Sequence, residues 1–323
     1  MKNPLAFLLF AGATAMPWSA SAMNILLSND DGLSANAKAL KSALEAAGHN
    51  VVMSVPCQNQ SGKGAAINFL TPIVPLAKAC VGSAASAGAP GLGPISGLND
   101  AYYVDGTPIM ALMYGLDVVA PQRWSGAPDL IISGPNEGQN LGSIVISSGT
   151  VSNAQFALTR GIPAIAVSAD INTTKNDALA AEVAVLTVQL VEKLDSRRPG
   201  KPPLPKGYAL NVNYPKFELG QSSMLPWTVT RFGNFDSMDV HFVADLSTDP
   251  IAASYGLGNV HLPGVAVSVH TADEANPTTD RKSEALKSLQ GYITLTPMEN
   301  GYQVSSMEAI QLTAYLKKAL KAK

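Results

Sequence analysis

The sequence predicts an α/β fold, a parallel sheet flanked by helices, followed by a β-rich carboxyl-terminal extension. Three observations carry this. Short apolar runs ending at Leu27, Val55, Ile132 and Val167 are each bounded by turn residues, as buried parallel strands are. Alanine-rich stretches of helical character alternate with them, the order of repeated βα units. Beyond a Pro- and Lys-rich stretch from Arg197 to Lys206 the pattern changes to extended segments with many turns.

The elements follow in order. Lys2, an apolar stretch from Leu5 to about Ala15 and Ser19-Ala20-Ser21-Ala22 have the three regions of a secretory signal peptide, with cleavage expected after Ala22. An anchoring helix is the competing reading, weakened by the short apolar run and by Pro17. Residues 1–22 are thus read as a leader, 23–200 as the α/β core and 201–323 as the extension with its closing helix packed on the core. The expected mature chain is exported, to the periplasm or beyond, with no membrane span after cleavage. Losing Lys2, the one charged residue of the leader, shifts the formal charge from −2 to −3. That balance excludes a nucleic-acid polymer as the expected partner.

Asn24 to Leu27 is the first strand, and it runs into Asn29-Asp30-Asp31-Gly32. Two acids at the carboxyl end of a parallel strand occupy the edge where open α/β sheets bind ligands. Adjacent carboxylates repel, and a hard divalent cation relieves them. The competing account is a plain turn, which the same four residues favour. Ser34 opens a helix that ends at Gly48, and Val51 to Val55 forms the second strand. The loop after it carries Ser61 and Gly62, a hydroxyl and a glycine able to bring backbone close to an anion or metal. A solvent loop has the same composition.

Cys57 and Cys80 are the only cysteines, and export leaves their pairing and their free state equally open. From Cys80 to Asn99 the chain reads as an exposed insertion. Tyr102 to Val104 is a strand, and Pro108 begins an apolar helix through Leu116. Asp129 to Ile132 is a strand opening into Ser133-Gly134-Pro135-Asn136, where Asn136 offers a neutral oxygen suited to a hard cation. Ser148-Gly149-Thr150 starts a helix through Leu158 whose first turn is a phosphate cradle or, alternatively, an ordinary cap. A strand to Ser168 and a helix from Ala178 to Leu194 complete the core. In the extension, strands are expected at Tyr208–Tyr214, Trp227–Phe232, Val265–His270 and Gly291–Pro297, with a helix from Ser306 to Lys318. Four scattered histidines, His49, His241, His261 and His270, lack the spacing of a zinc site. Tyr102, Tyr103, Trp124 and Phe232 are candidates for stacking on a nucleobase, each with core packing as its alternative.

Taken in order, Asn29-Asp30-Asp31-Gly32, Ser61-Gly62, Ser133 through Asn140, Ser148-Gly149-Thr150-Val151-Ser152, Thr279-Asp280 and Gly291 through Pro297 resemble the SurE family of metal-dependent nucleotidases. The resemblance implies a Rossmann-like core and one divalent ion, Mg2+ or Mn2+, on residues matching Asp30, Asp31, Ser61 and Asn136. It implies nucleoside 5′- and 3′-monophosphates as substrates and a homodimer or homotetramer formed through the extension. Asp30 is the expected general base, with Asn29 holding the cluster, and Gly62, Ser148, Gly149 and Thr150 are expected to bind phosphate or substrate. The chain departs from the family at Ile109-Met110-Ala111, where Ala-Asp-Cys is common, and at Phe156-Ala157, where Glu-Gly is common. A broad-specificity exported acid phosphatase and a non-catalytic metal- or anion-binding protein are the alternatives.

Overall fold

The computed structural model describes residues 22–301 and 306–321; the expected leader lies outside the described residues apart from Ala22. In chain order the elements are β1 (Asn24–Ser28), α1 (Ala35–Ala46), β2 (Asn50–Pro56), β3 (Leu92–Pro94), β4 (Ala101–Val104), α2 (Pro108–Tyr114), α3 (Ala120–Trp124), β5 (Leu130–Glu137), α4 (Gly149–Thr159), β6 (Ala164–Ala169) and α5 (Asp177–Ser196). The remainder supplies β7 (Tyr208–Asn213), β8 (Trp227–Val229), β9 (Met238–Val243), the one-turn α6 (Pro250–Ala252), β10 (Gly264–Val269), α7 (Glu284–Leu289), β11 (Ile293–Glu299) and α8 (Ser306–Lys321).

Nine strands form one sheet in the order β3-β4-β2-β1-β5-β6-β7-β11-β8. From β4 through β7 every neighbouring pair is parallel. The strand order reverses between β1 and β5, which makes the crevice at their carboxyl ends the topological switch point. Side chains on β1 alternate between two cores: Ile25 and Leu27 join the cluster under α1 and α5, whereas Leu26 joins the one under α2 and α4. Burying each such side chain is worth roughly 1.5–3 kcal/mol, so the acids at the end of β1 are held by a strand whose Ile25, Leu26 and Leu27 are fully buried.

Local punctuation works as the residues suggest. The Ser34 hydroxyl accepts from the Ala37 amide at 3.2 Å to start α1, and the Thr107 hydroxyl caps α2 through the Met110 amide at 3.3 Å. The helix expected to end at Leu116 instead passes through a wide turn at Gly115–Val119 and continues as α3 to Trp124.

Two features differ from a reading along the chain. The 80–99 segment is not wholly exposed: Cys80, Ala84 and Ile95 are buried in the α1-side core, and β3 pairs antiparallel with β4. A disulfide between Cys57 and Cys80, with Cα atoms 4.6 Å apart, anchors it. In the 201–323 region, β7, β11 and β8 extend the main sheet, so the boundary near residue 200 falls between neighbouring strands; β9 and β10 form a separate two-stranded ribbon.

Candidate active site at the switch point

The turn leaving β1 is closed by one side chain. Asn29 donates from Nδ2 to the Gly32 carbonyl at 2.7 Å and accepts the Gly32 amide on Oδ1 at 3.1 Å. Gly32 has φ +82°, and a Cβ there would lie 2.4 Å from Val81 Cγ2, so only glycine fits. Both ends of the Asn29 amide are thereby occupied in shaping the turn. Asn29 is a positioning residue, and it leaves Asp30 and Asp31 facing the crevice.

The two acids are buried, Asp30 at 3% and Asp31 at 7% exposure, and among the described residues no basic side chain pairs with either. Asp30 Oδ1 accepts the Thr150 hydroxyl at 2.6 Å, and Gly149 at the start of α4 packs against its carboxylate. Asp31 Oδ2 accepts the Glu137 amide at 2.9 Å, and its Oδ1 accepts Asn59 Nδ2 at 3.3 Å. These donors do not offset the burial. Desolvation raises the Asp30 carboxyl above its ordinary value, and desolvation with repulsion from Asp30 and Glu137 pushes Asp31 up to about 8. A positive charge between them would relieve both the burial and the repulsion.

Asn136 reaches the crevice because β5 shifts register against β6 between Ser133 and Asn136, inserting an extra residue. Its Nδ2 donates to the Gly138 carbonyl at 2.7 Å, which leaves Oδ1 buried with no hydrogen-bond partner. An orphaned amide oxygen, one residue before the amide that binds Asp31, suits a hard cation with oxygen ligands. Ser61 lies on the exposed rim, and Asn59 ties it to the acids: Asn59 Oδ1 accepts the Ser61 amide at 3.0 Å while its Nδ2 reaches Asp31. Two carboxylates, one hydroxyl and one amide oxygen thus fit a magnesium- or manganese-type ion. Among the described residues no group of three or more His, Cys, Asp or Glu side chains is placed to hold a metal ion.

The phosphate-binding candidates divide by use. Gly149 packs directly on Asp30, and the Thr150 hydroxyl is donated to Asp30. Ser148 Oγ accepts the Val151 amide at 3.1 Å, the capping role. The positive end of α4 therefore faces Asp30 and the crevice, which suits an anion. Gly62 stands at the rim with open space around it. The loops are joined to one another: the Gln60 amide donates to the Asp30 carbonyl at 2.7 Å and the Gly64 amide to the Ser147 carbonyl at 3.0 Å.

Reading the sequence alone missed two contributors. Asn59 carries no signal beyond belonging to a polar loop. Glu284 stands 142 residues from Gly142 along the chain yet accepts its amide at 2.9 Å, together with Asn211 Nδ2 and the Thr296 hydroxyl. With Asn211 and Asn213 donating to the Asn140 carbonyl, it fixes the loop between Asn136 and α4. Of the four aromatic candidates, Phe232 lies near the site, lining a cleft beside α4; Tyr102 stacks edge-on with Tyr114, Tyr103 bonds the Pro90 carbonyl, and Trp124 lines a separate cleft with Arg123.

Comparison with known proteins agrees with this geometry. The family model described as "Survival protein SurE" matches residues 25–238. The "5'-nucleotidase SurE" of Synechococcus sp. is 31% identical over 281 residues, covering 86% of this chain and 92% of that protein. An "Acid phosphatase" of Yarrowia lipolytica is 35% identical over 214 residues; the match covers 62% of this chain and 59% of that longer protein. The crystal structure of the SurE protein from Aquifex aeolicus superposes with a TM-score of 0.64 at 28% identity, covering 91% of this chain and 99% of that one.

Proposed function

The chain belongs to the SurE family of nucleotidases and phosphatases, phosphoric monoester hydrolases, and from that premise we propose that it is a divalent-metal-dependent enzyme releasing phosphate from nucleoside 5′- and 3′-monophosphates. The observation that carries the reading is the pair of adjacent buried carboxylates at the switch point beside the orphaned Asn136 oxygen. Asp30, Asp31, Ser61 and Asn136 are the residues that would hold the ion. When bound, Mg2+ or Mn2+ supplies neutralising charge and polarises the phosphoryl group.

The chain's own groups do the rest. The Thr150 hydroxyl orients the Asp30 carboxylate through Oδ1, leaving its other oxygen to face the ion and the attacking water, whose proton it takes. The first turn of α4 aligns its dipole with the charge that builds on the phosphoryl oxygens. The water oxygen bonds to phosphorus as the P–O bond to the nucleoside breaks, the leaving oxygen takes a proton from solvent water, and Asp30 returns its own to solvent. Asn29 and Asn59 keep the acids and Ser61 in register through this.

Phosphate release from the mature protein, measured with 5′- and 3′-nucleotides, sugar phosphates and p-nitrophenyl phosphate, with Mg2+ or Mn2+ and with chelator, tests this. Metal-dependent release from nucleotides supports it. Equal release from every ester makes the protein a broad phosphatase, and metal binding without release makes it a binding protein. Asp31→Asn is expected to abolish turnover with loss of metal affinity; full activity with bound magnesium in that variant would sink the assignment.

We also propose export to the periplasm or beyond and assembly as a homodimer or homotetramer through the extension. Supporting assembly, Met238, Val240 and Phe242 on β9 stand opposite Val269, Val267 and Val265 on β10, giving the ribbon one apolar and largely exposed face. Light scattering on the purified chain reads this directly: a monomer at micromolar concentration would refute it. Among the described residues no helix is long and apolar enough to cross a membrane.

A further inference from the structure

The crevice does not end at the acid pair. Three segments that build the site run on from it into one cleft of about 500 Å3, within the ~300–1,000 Å3 of small-molecule pockets. The loop bearing Ser61 continues to Ala65 and Ile67. Pro108, whose ring would be 2.7 Å from a Cβ on Gly149, is followed by Ile109. The first turn of α4 leads from Thr150 through Val151 and Ser152 to Phe156. The far wall comes from Phe232 and Met298. The cleft is therefore one or two residues from groups that touch Asp30, and it is mainly apolar where the acid pair is wholly polar.

The Phe156 ring on its α4 wall is held in place. The Arg160 guanidinium lies 5.4 Å from the Phe156 ring centre and is itself paired with Asp117 at 2.8 Å. Gln155 is fixed as well, donating to the Glu299 carbonyl at 3.1 Å and accepting the Gly301 amide at 3.0 Å. Such walls bind by area and stacking, with few groups to read the polar edge of a base.

We propose that this cleft, with Phe156 and Ile67 as its specificity-determining residues, takes the leaving group of the ester and selects flat aromatic leaving groups over polyols. The occupant is the alcohol portion of a phosphate monoester: a purine nucleoside or an aryl alcohol, in preference to glycerol or a sugar. This rests on the phosphomonoesterase reading of the acid pair. Contiguity with the start of α4 distinguishes this occupant from a protein segment, because an ester whose phosphate sits at that helix end must extend its other half along one of the three segments.

The test compares AMP and 1-naphthyl phosphate with glycerol 2-phosphate, for the intact protein, Phe156→Ser and Ile67→Asp, with Mg2+ or Mn2+. Phe156 is partly exposed and Ile67 lies on a loop, so two independent positions guard against a folding defect, checked by thermal melting. Each change is expected to lower the ratio of kcat/KM for the aromatic esters over glycerol 2-phosphate by about tenfold, mainly through KM. An unchanged ratio in both variants overturns the proposal and leaves the cleft to α8 or to a second copy of the chain. Adenosine binding by calorimetry separates the two readings: if no ester is hydrolysed but Phe156→Ser weakens adenosine binding about tenfold, the cleft stands and the hydrolytic reading fails. Adenosine that fails to bind, or binds both forms alike, refutes the cleft.

Discussion

Gly149→Ala isolates the contact between α4 and Asp30. A Cβ at this position would lie 2.7 Å from Asp30 Cβ, 2.7 Å from Pro108 Cγ and 3.0 Å from Asp30 Cγ, short of ordinary contact by as much as roughly 0.7 Å. Neither wall is the free end of a flexible side chain. Gly149 is not among the glycines with positive φ, so alanine brings no backbone strain. Whatever yields, α4 or the Asp30 carboxylate, the distance between the helix start and the acid pair opens by several tenths of an ångström. A misplacement approaching 1 Å at reacting groups costs about 10²-fold in rate, or ~2.7 kcal/mol in barrier. Stability should move far less, because alanine is favoured over glycine in a helix by up to ~1 kcal/mol, offsetting part of the crowding. Steady-state hydrolysis of AMP with saturating metal, beside a thermal melt, reads both quantities. The reasoning is refuted if kcat/KM stays within a few-fold of the parent, or if activity falls only in proportion to a lost fold.

Other perturbations reach the site from further away. Glu284 is fully buried and burial is the main cause that pushes its carboxyl up to about 7, so the folded state holds an extra proton between pH 4.5 and 7 and stability falls as pH rises through that window. The slope amounts to ~3 kcal/mol across it, and Glu284→Gln should flatten it in urea unfolding measured at pH 5 and 7.5; an unaltered slope would assign it to other groups. Replacing Asn59 by alanine removes the bridge between Asp31 and Ser61 and should weaken metal affinity about 10- to 100-fold in calorimetry, with little change in melting temperature. Converting both Cys57 and Cys80 to serine opens a 23-residue separation and should cost about 3 kcal/mol. Since Val81 beside that disulfide buttresses Gly32, activity at low temperature should fall as well; stability loss with unchanged kcat would confine the disulfide to the fold.

Much of this was legible residue by residue. Apolar runs of strand length before Asn29, Pro56 and Ser133 locate β1, β2 and β5 because burial on both faces of a parallel sheet demands continuous apolar sequence. The cap at Ser34 and Pro108 at a first helical position locate α1 and α2, and the ordinary cap that is the alternative reading at Ser148-Gly149-Thr150 falls on Ser148. Adjacent acids at a strand end mark a place for charge, since no neighbour in the local sequence neutralises them. These are short-range facts, and the chain states them directly.

Tertiary structure decided what depends on distant partners. That β1 and β5 flank the switch point follows from strand order, which no local pattern encodes. That Thr150 spends its hydroxyl on Asp30 and Ser148 spends its oxygen on a cap, though the two are neighbours, follows from how α4 meets the sheet. Glu284 carries no signal in its local sequence; only the return of the carboxyl-terminal chain beside β7 buries it against Gly142, Asn211 and Thr296. Phe156 and Ile67 likewise read as unrelated apolar residues until the fold sets them around one cleft. Sequence determines which groups are present and what each must satisfy nearby, whereas long-range packing determines which of them meet, and a catalytic site is made of those meetings.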